Sequence, residues 1–150
     1  MKRFRWRLQR VLDIAASREE ALRADLLALA REIVRVRQEI VWRQGLVRQI
    51  LTELAARDLA DRLPEQAIVL ECAAAEERIL RRLRSAERDL RTRRDARTAE
   101  FLRARGRRRT LERLRGEARE RHRRDEDRRE QKEFDELAHM AYARKGGVPT

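Results

Sequence analysis

The sequence is poor in everything that bends or staples a chain: five glycines, two prolines, one cysteine and six aromatic residues among 150. So few turn formers and aromatics leave no room for the short strands and tight turns of a sandwich, a barrel or a βαβ fold, and sheet is excluded. The lone Cys72 cannot close an internal disulfide, which suits a reducing compartment and a role as a small apolar filler. Long apolar runs are missing too. The longest uninterrupted one, residues 26–30, is far short of the roughly 20 residues that span a bilayer, and no secretory pattern follows the basic start, so a soluble, cytoplasmic protein without membrane insertion is expected.

Charge and helix formers fill the chain instead. Charged residues make up 44% of it, with 39 Lys+Arg against 27 Asp+Glu for a formal charge of +12. Ala, Glu, Lys, Leu and Arg account for 97 positions, a share typical of long helices and coiled coils. With 21 of the apolar residues being Ala, too few large side chains remain for a thick core, but enough for a narrow seam between helices.

Apolar residues recur at Phe4, Leu8, Val11, Ala15, Leu22, Leu26, Leu29, Ile33, Val36, Ile40, Val47, Ile50 and Leu54, in steps of 3, 4 or 7, which marks one helical stripe. The steps of 4 around Leu22 and Leu26 read as a local insertion that relaxes the supercoil without ending the helix. Pro64 disfavours helix in the residue before it and suits the first position of a new one, so the turn is expected at about 61–64. Beyond it the stripe resumes at Leu80, Leu83, Leu90, Phe101, Ala104 and Leu111, with Glu87, Arg94, Arg97 and Arg108 in the same seam. The predicted fold is all-α: one long antiparallel two-helix coiled-coil hairpin over 1–145, with helix one at about 3–60, helix two at about 65–143, and a disordered tail over 146–150. Antiparallel partners should have residue numbers summing to about 125. Helix two is the longer, about 117 Å against about 84 Å at 1.5 Å per residue, so residues 122–145 overhang without an intramolecular partner.

The charge is uneven. Residues 64–77 carry four acids and no base, whereas residues 78–124 carry 20 arginines and seven acids. These arginines wrap around the helix rather than marking one face. They suit a solvated helix with intrahelical pairs such as Asp95/Arg91, Glu117/Arg113 and Glu120/Arg124, or a shaft meeting an acidic protein surface. Nucleic-acid binding would use the same charge but lacks zinc-finger spacing, RNP-like aromatics or a basic region entering a parallel zipper.

Nothing in the pattern carries catalysis. His122 and His139 stand 17 apart without metal-ligand spacing, no glycine-rich phosphate loop occurs, and Ser17 and Ser85 lie inside helical pattern. Neither an enzyme nor a cofactor is expected. The two ends differ from the shaft. Phe4, Trp6 and Leu8 crowd large side chains into the first turns; Phe4 and Leu8 should pack on helix two near 114–121, leaving Trp6 for a partner. In the overhang Phe134, Leu137 and Ala141 form a stripe of their own, the mark of a docking face. Near the hairpin tip, Trp42 lies off the seam set by Ile40 and Val47 and should be exposed.

The opening Phe4-x-Trp6-x-Leu8-Gln9-x-Val11-Leu12-Asp13 and the closing Glu130-Gln131-Lys132-x-x-Asp135-Glu136-x-Ala138, followed by Arg144-Lys145, resemble the start and C-terminal signature of the FliJ family of flagellar type III export proteins. The resemblance implies an antiparallel coiled coil similar to the central stalk of rotary ATPases. Its paired termini would enter the hexameric ring of the export ATPase, promoting assembly and activity of that enzyme. Further implied partners are the ATPase regulator, the cytoplasmic domain of the large export-gate protein and export chaperones. The place of work would be the cytoplasmic side of the inner membrane at the flagellar base, by peripheral association. Placed on this sequence, the ring end would comprise Phe4, Trp6, Leu8, Gln131, Lys132, Asp135 and Glu136. The gate end has no motif; the zone of Gln38, Trp42 and Gln49 with Ile79 and Leu83 opposite is the candidate. The rival readings are a basic nucleic-acid-binding coiled coil and a generic dimeric scaffold.

Overall fold

A computed structural model describes residues 4–146, apart from the side chains of residues 61, 62, 145 and 146. Two helices make up the described chain, α1 (Gln9–Ala55) and α2 (Leu59–Gly146), with no strand among the described residues. They pack against each other in antiparallel fashion, and the second is much the longer, so the all-α hairpin read from the sequence holds. Two compact units divide it: residues 20–103, and residues 1–19 with 104–150.

The helix bounds differ from those read from the sequence. α1 begins at Gln9 rather than residue 3, where the Gln9 N–H donates to the Trp6 carbonyl at 3.2 Å and the Leu12 N–H to that of Leu8 at 3.0 Å. It ends at Ala55, and the irregular backbone is residues 56–58, not 61–64. Ala56 and Arg57 donate back to Thr52 and Leu54, which tightens the last turn. Asp58, immediately before α2, is a residue type favoured at the N-cap, and the second helix begins five residues ahead of Pro64. Pro64 then lies inside α2, where its ring nitrogen leaves the Ala60 carbonyl without its helical donor. That cost is tolerable because both residues are exposed to water. The pairing register nevertheless stays near its expected value. Leu59 and Leu63 are helical but exposed, and among the described side chains the first of α2 to face α1 are Gln66 and Val69.

In the 20–103 unit, the seam of α1 runs through positions 22, 26, 29, 33, 36, 40, 43, 47, 50 and 54, and that of α2 through 66, 69, 73, 76, 80, 83, 87, 90 and 94, with residues 44, 46, 75, 79 and 84 half-buried at its flanks. Both series alternate steps of 3 and 4, the period of a left-handed coiled coil. The core is Ile33, Val36, Ile40, Leu80 and Leu90, with Leu29, Val47 and Leu83 packed against it. Leu80 is the most enclosed of the described residues, 2% exposed. Cys72 is exposed on α2, not the buried filler expected, because it falls between the inward positions 69 and 73.

In the other unit, the inward positions of α1 are 12, 15 and 19, and those of α2 include 104, 108, 111, 114, 118 and 122. Leu12, not Leu8 and Val11, is buried. Leu8 is 42% exposed because it lies in the turn before α1, so the helical phase is set from Leu12 onward. The expected interruption at Leu22 and Leu26 is absent. Position 19 belongs to the same alternation but holds Glu, which a search for apolar residues skips.

Ion pairs fill the polar seam positions. Arg43 donates to Glu76 at 2.8 Å and to Glu39 at 3.1 Å, and Arg37 donates to Glu87 at 2.6 Å. Arg108 donates to Glu19 and to Glu112. Within the 20–103 unit α1 is acidic at Asp25, opposite Arg97 at 3.9 Å, and basic at Arg37 and Arg43, opposite carboxylates. A parallel pairing of two copies would set Arg43 against Arg43 and Glu19 against Glu19, so these charges favour the antiparallel hairpin. Of the intrahelical pairs read from the sequence, Glu117/Arg113 and Glu120/Arg124 form. Asp95 pairs with Arg94 instead, since Arg91 is held by Glu87.

Candidate functional site

Side chains that the hairpin leaves uncovered are the candidates for partner contact, and they fall into two groups. In the unit holding the chain ends, the Phe4 ring meets His122 edge-on, with centroids 5.5 Å apart and planes at 73°. This contact lies within one turn of the 114–121 window expected for it. Trp6 is half-buried, and a cleft of about 510 Å³ is lined by Phe4, Arg5, Trp6, Arg7, Gln9, Arg10 and Arg115.

The C-terminal motif stands apart from this cluster. Gln131 is nine residues beyond His122, about 14 Å along the helix, and Glu136 is a further turn and more away. The structure thus does not bring Phe4, Trp6 and Leu8 together with Gln131, Lys132, Asp135 and Glu136. Gln131, Lys132 and Asp135 do line one cleft of about 410 Å³ with Asp125, Arg128 and Arg129, while Glu136 is exposed outside it. From residue 127 to 144 every side chain is exposed, including Phe134 at 70% and Leu137 at 58%. Met140 and Tyr142 are exposed beside them, two apolar side chains that the 134/137/141 stripe left out. Among the described residues no part of α1 covers this segment.

In the 20–103 unit Trp42 is 63% exposed, as its place off the seam implies, and the Arg43 guanidinium carbon lies 5.8 Å from its ring centroid. Gln38, Trp42 and Gln49 all face solvent, and Gln49 donates to Glu53 at 3.0 Å. On α2, Ile79 is half-buried and Leu83 packs on the core cluster, so Leu83 serves the hairpin rather than a free surface. Val41, Leu59, Leu63, Ile68 and Leu70 are exposed around the tip and were missed by the sequence reading. The signal for them was present. Ile68 and Leu70 lie off the seam in the one stretch that has carboxylates and no base.

Electrostatics at the seam are set by direct pairing. The Arg37 guanidinium hydrogen-bonded to Glu87, assisted by Arg91, holds the Glu87 carboxyl below its ordinary value of 4.5. The hydrogen bonds that Arg43 donates to Glu76 and Glu39 raise its pKa, as do those that Arg108 donates to Glu19 and Glu112. No group of three or more His, Cys, Asp or Glu suited to a metal ion occurs among the described residues. No helix among them is long and apolar enough to cross a membrane.

Neither curated protein sequences nor solved structures give a match to this chain. A family model does: the one described as Flagellar FliJ protein matches residues 4–147, which include both terminal motifs, the turn and both helices. The chain belongs to the FliJ family and is a flagellar, export-related coiled-coil protein.

Proposed function

We propose that this protein is a stalk for the flagellar export ATPase, its chain-end unit seated in the hexameric ring and its hairpin tip directed at the export gate. The observation that carries the proposal is the exposed stripe of Phe134, Leu137 and Met140 on a helical segment without an intramolecular cover. A lone helix gains little from exposing such residues, and each becomes worth about 1.5–3 kcal/mol when a partner buries it. The C-terminal motif residues Gln131, Lys132, Asp135 and Glu136 lie on the same segment, and with Phe4, Trp6 and Leu8 they make up the ring end. A single asymmetric coil cannot meet six subunits identically. It therefore favours closure of some nucleotide interfaces over others, and acts as an allosteric ligand rather than by chemistry of its own.

The gate end is assigned to Gln38, Trp42 and Gln49, with Ile79 across the hairpin, while Leu83 supports this zone from the core. The ATPase regulator and empty export chaperones complete the set of partners, and the protein works on the cytoplasmic side of the inner membrane at the flagellar base. ATP turnover by the cognate ATPase, measured as the protein is added, tests the ring end. Stimulation that falls at least tenfold in Phe134→Ala/Leu137→Ala, with helicity unchanged, supports it; equal stimulation by both proteins removes the stripe from the contact. Trp42→Ala should weaken binding of the gate protein's cytoplasmic domain without changing helicity, and unchanged binding would remove Trp42.

A further inference from the structure

The 510 Å³ cleft in the chain-end unit has an unusual lining: Arg5, Arg7, Arg10 and Arg115, with Trp6, Phe4 and Gln9, and no carboxylate. Each of these four arginines is exposed, and none forms an ion pair with a described residue. This differs from the seam, where Arg37, Arg43 and Arg108 each hold a carboxylate. The first turn of α1 also has no acidic residue to neutralise them. Four like charges around one cleft repel each other unless an anion enters. Guanidinium forks match carboxylate and phosphate oxygens two at a time, and the Trp6 ring supplies an apolar wall.

Arg115 belongs to a stretch of α2 whose sequence is strongly basic and whose excess of base ends abruptly. Residues 104–124 hold ten arginines against three carboxylates, whereas residues 125–136 hold seven carboxylates against three bases. A uniform polyanion lying along α2 would gain over the first stretch and be repelled over the second. A protein surface can match both. The cleft is also open and its arginines are solvated, which suits an extended segment bound over many contacts better than a small ligand that needs enclosure.

We propose that the cleft of Arg5, Arg7, Arg10 and Arg115 is a docking site for an acidic, Asp/Glu-rich segment of a partner protein. This deepens the ring reading, since it supplies the chemistry by which the chain-end unit recognises the ATPase, and it rests on that reading for the identity of the partner alone. The pairing is carried by arginine forks, so it weakens steeply with salt.

The test uses the full chain with Trp42→Phe, so that Trp6 is the only tryptophan and reports from the cleft wall. The probe is a ten-residue poly-glutamate peptide, titrated at 50 and 200 mM salt. Expected are a saturable change in Trp6 emission and a Kd at least tenfold weaker at the higher salt. Replacing Arg5, Arg7, Arg10 and Arg115 by Gln should weaken binding more than tenfold. Arg115→Gln alone, which leaves the N-terminal turn untouched, should weaken it at least threefold. The comparison variant replaces Arg81, Arg82, Arg88 and Arg93, also exposed and unpaired among the described residues, and should lose less than threefold.

Equal losses in the two quadruple variants, or no change in Trp6 emission, would overturn the site. Displacement of the peptide by a lower concentration of inorganic triphosphate, or tighter binding of a 20-base-pair duplex, would overturn its assignment to an acidic protein segment. A sedimenting mass of twice 17.9 kDa that is lost in the cleft variant would hand the site to the acidic stretch of a second copy. The ring reading fails separately: peptide binding as expected, with no stimulation of the ATPase, leaves the cleft standing and removes the ring as its place.

Discussion

Leu80 is where the hairpin stakes most on a single side chain, and Leu80→Ala tests the seam directly. It is 2% exposed and lies among Ile33, Val36, Ile40 and Leu90, so the helix faces on both sides of the seam meet on it. Removing three carbons from such a site forfeits about 0.8 kcal/mol per carbon, or roughly 2.4 kcal/mol. A residual void adds to that, as in Leu→Ala changes costing about 2–5 kcal/mol in deeper cores. Two helices can close on a void more readily than a layered core can, and Ala favours helix slightly, so the expected loss is about 2.5 kcal/mol. Urea unfolding followed by helical circular dichroism should show a lower midpoint at an unchanged slope. Leu137→Ala, at a site 58% exposed, should change stability by less than about 0.5 kcal/mol. If both variants lost the same amount, or Leu80→Ala lost under about 1 kcal/mol, the register that buries Leu80 would be wrong.

Acid should weaken the 20–103 unit through Glu87. Its carboxyl is held below 4.5 by Arg37, so its contribution is present above that value and is lost as the pH falls through the lower, folded value; thermal midpoints from pH 6 to 3 should fall less steeply in Glu87→Gln than in the parent. Glu19→Ala and Arg108→Ala should be strongly non-additive in midpoint, the double variant losing little more than either single one; additive losses would mean the pair does not form. Gly116 is inside α2 with nothing within 4 Å of an added Cβ, so Gly116→Ala should stabilise the helix by about 0.5–1 kcal/mol, and a loss would place a hidden neighbour there.

Much of the architecture was legible in the sequence because a coiled coil is written in its period. Ile33, Val36, Ile40, Leu80 and Leu90 announce themselves as large apolar residues in phase. What escaped was set by polar residues and by chain ends. Glu19 and Arg43 occupy seam positions as charges, so an apolar search mistook a continuous repeat for an interrupted one. α2 begins at Leu59, ahead of Pro64, directly after Asp58, a residue type favoured at the N-cap that the sequence reading passed over in favour of the proline. Leu8 fell out of the seam because residues 4–8 are not helical, a boundary that periodicity does not encode. The exposure of Trp42 followed from phase alone, whereas the arginine cleft required a chain-end turn to meet Arg115 on α2, a long-range contact that no local pattern records.

A single stalk in a six-membered ring fixes the mass of the complex that this protein forms with the cognate export ATPase under hexamer-forming conditions with nucleotide. One 17.9 kDa chain per six ATPase subunits, with stimulation saturating at the same ratio, is the expected result. One chain per ATPase subunit, or hexamers that form and turn over identically without any bound chain, would contradict it.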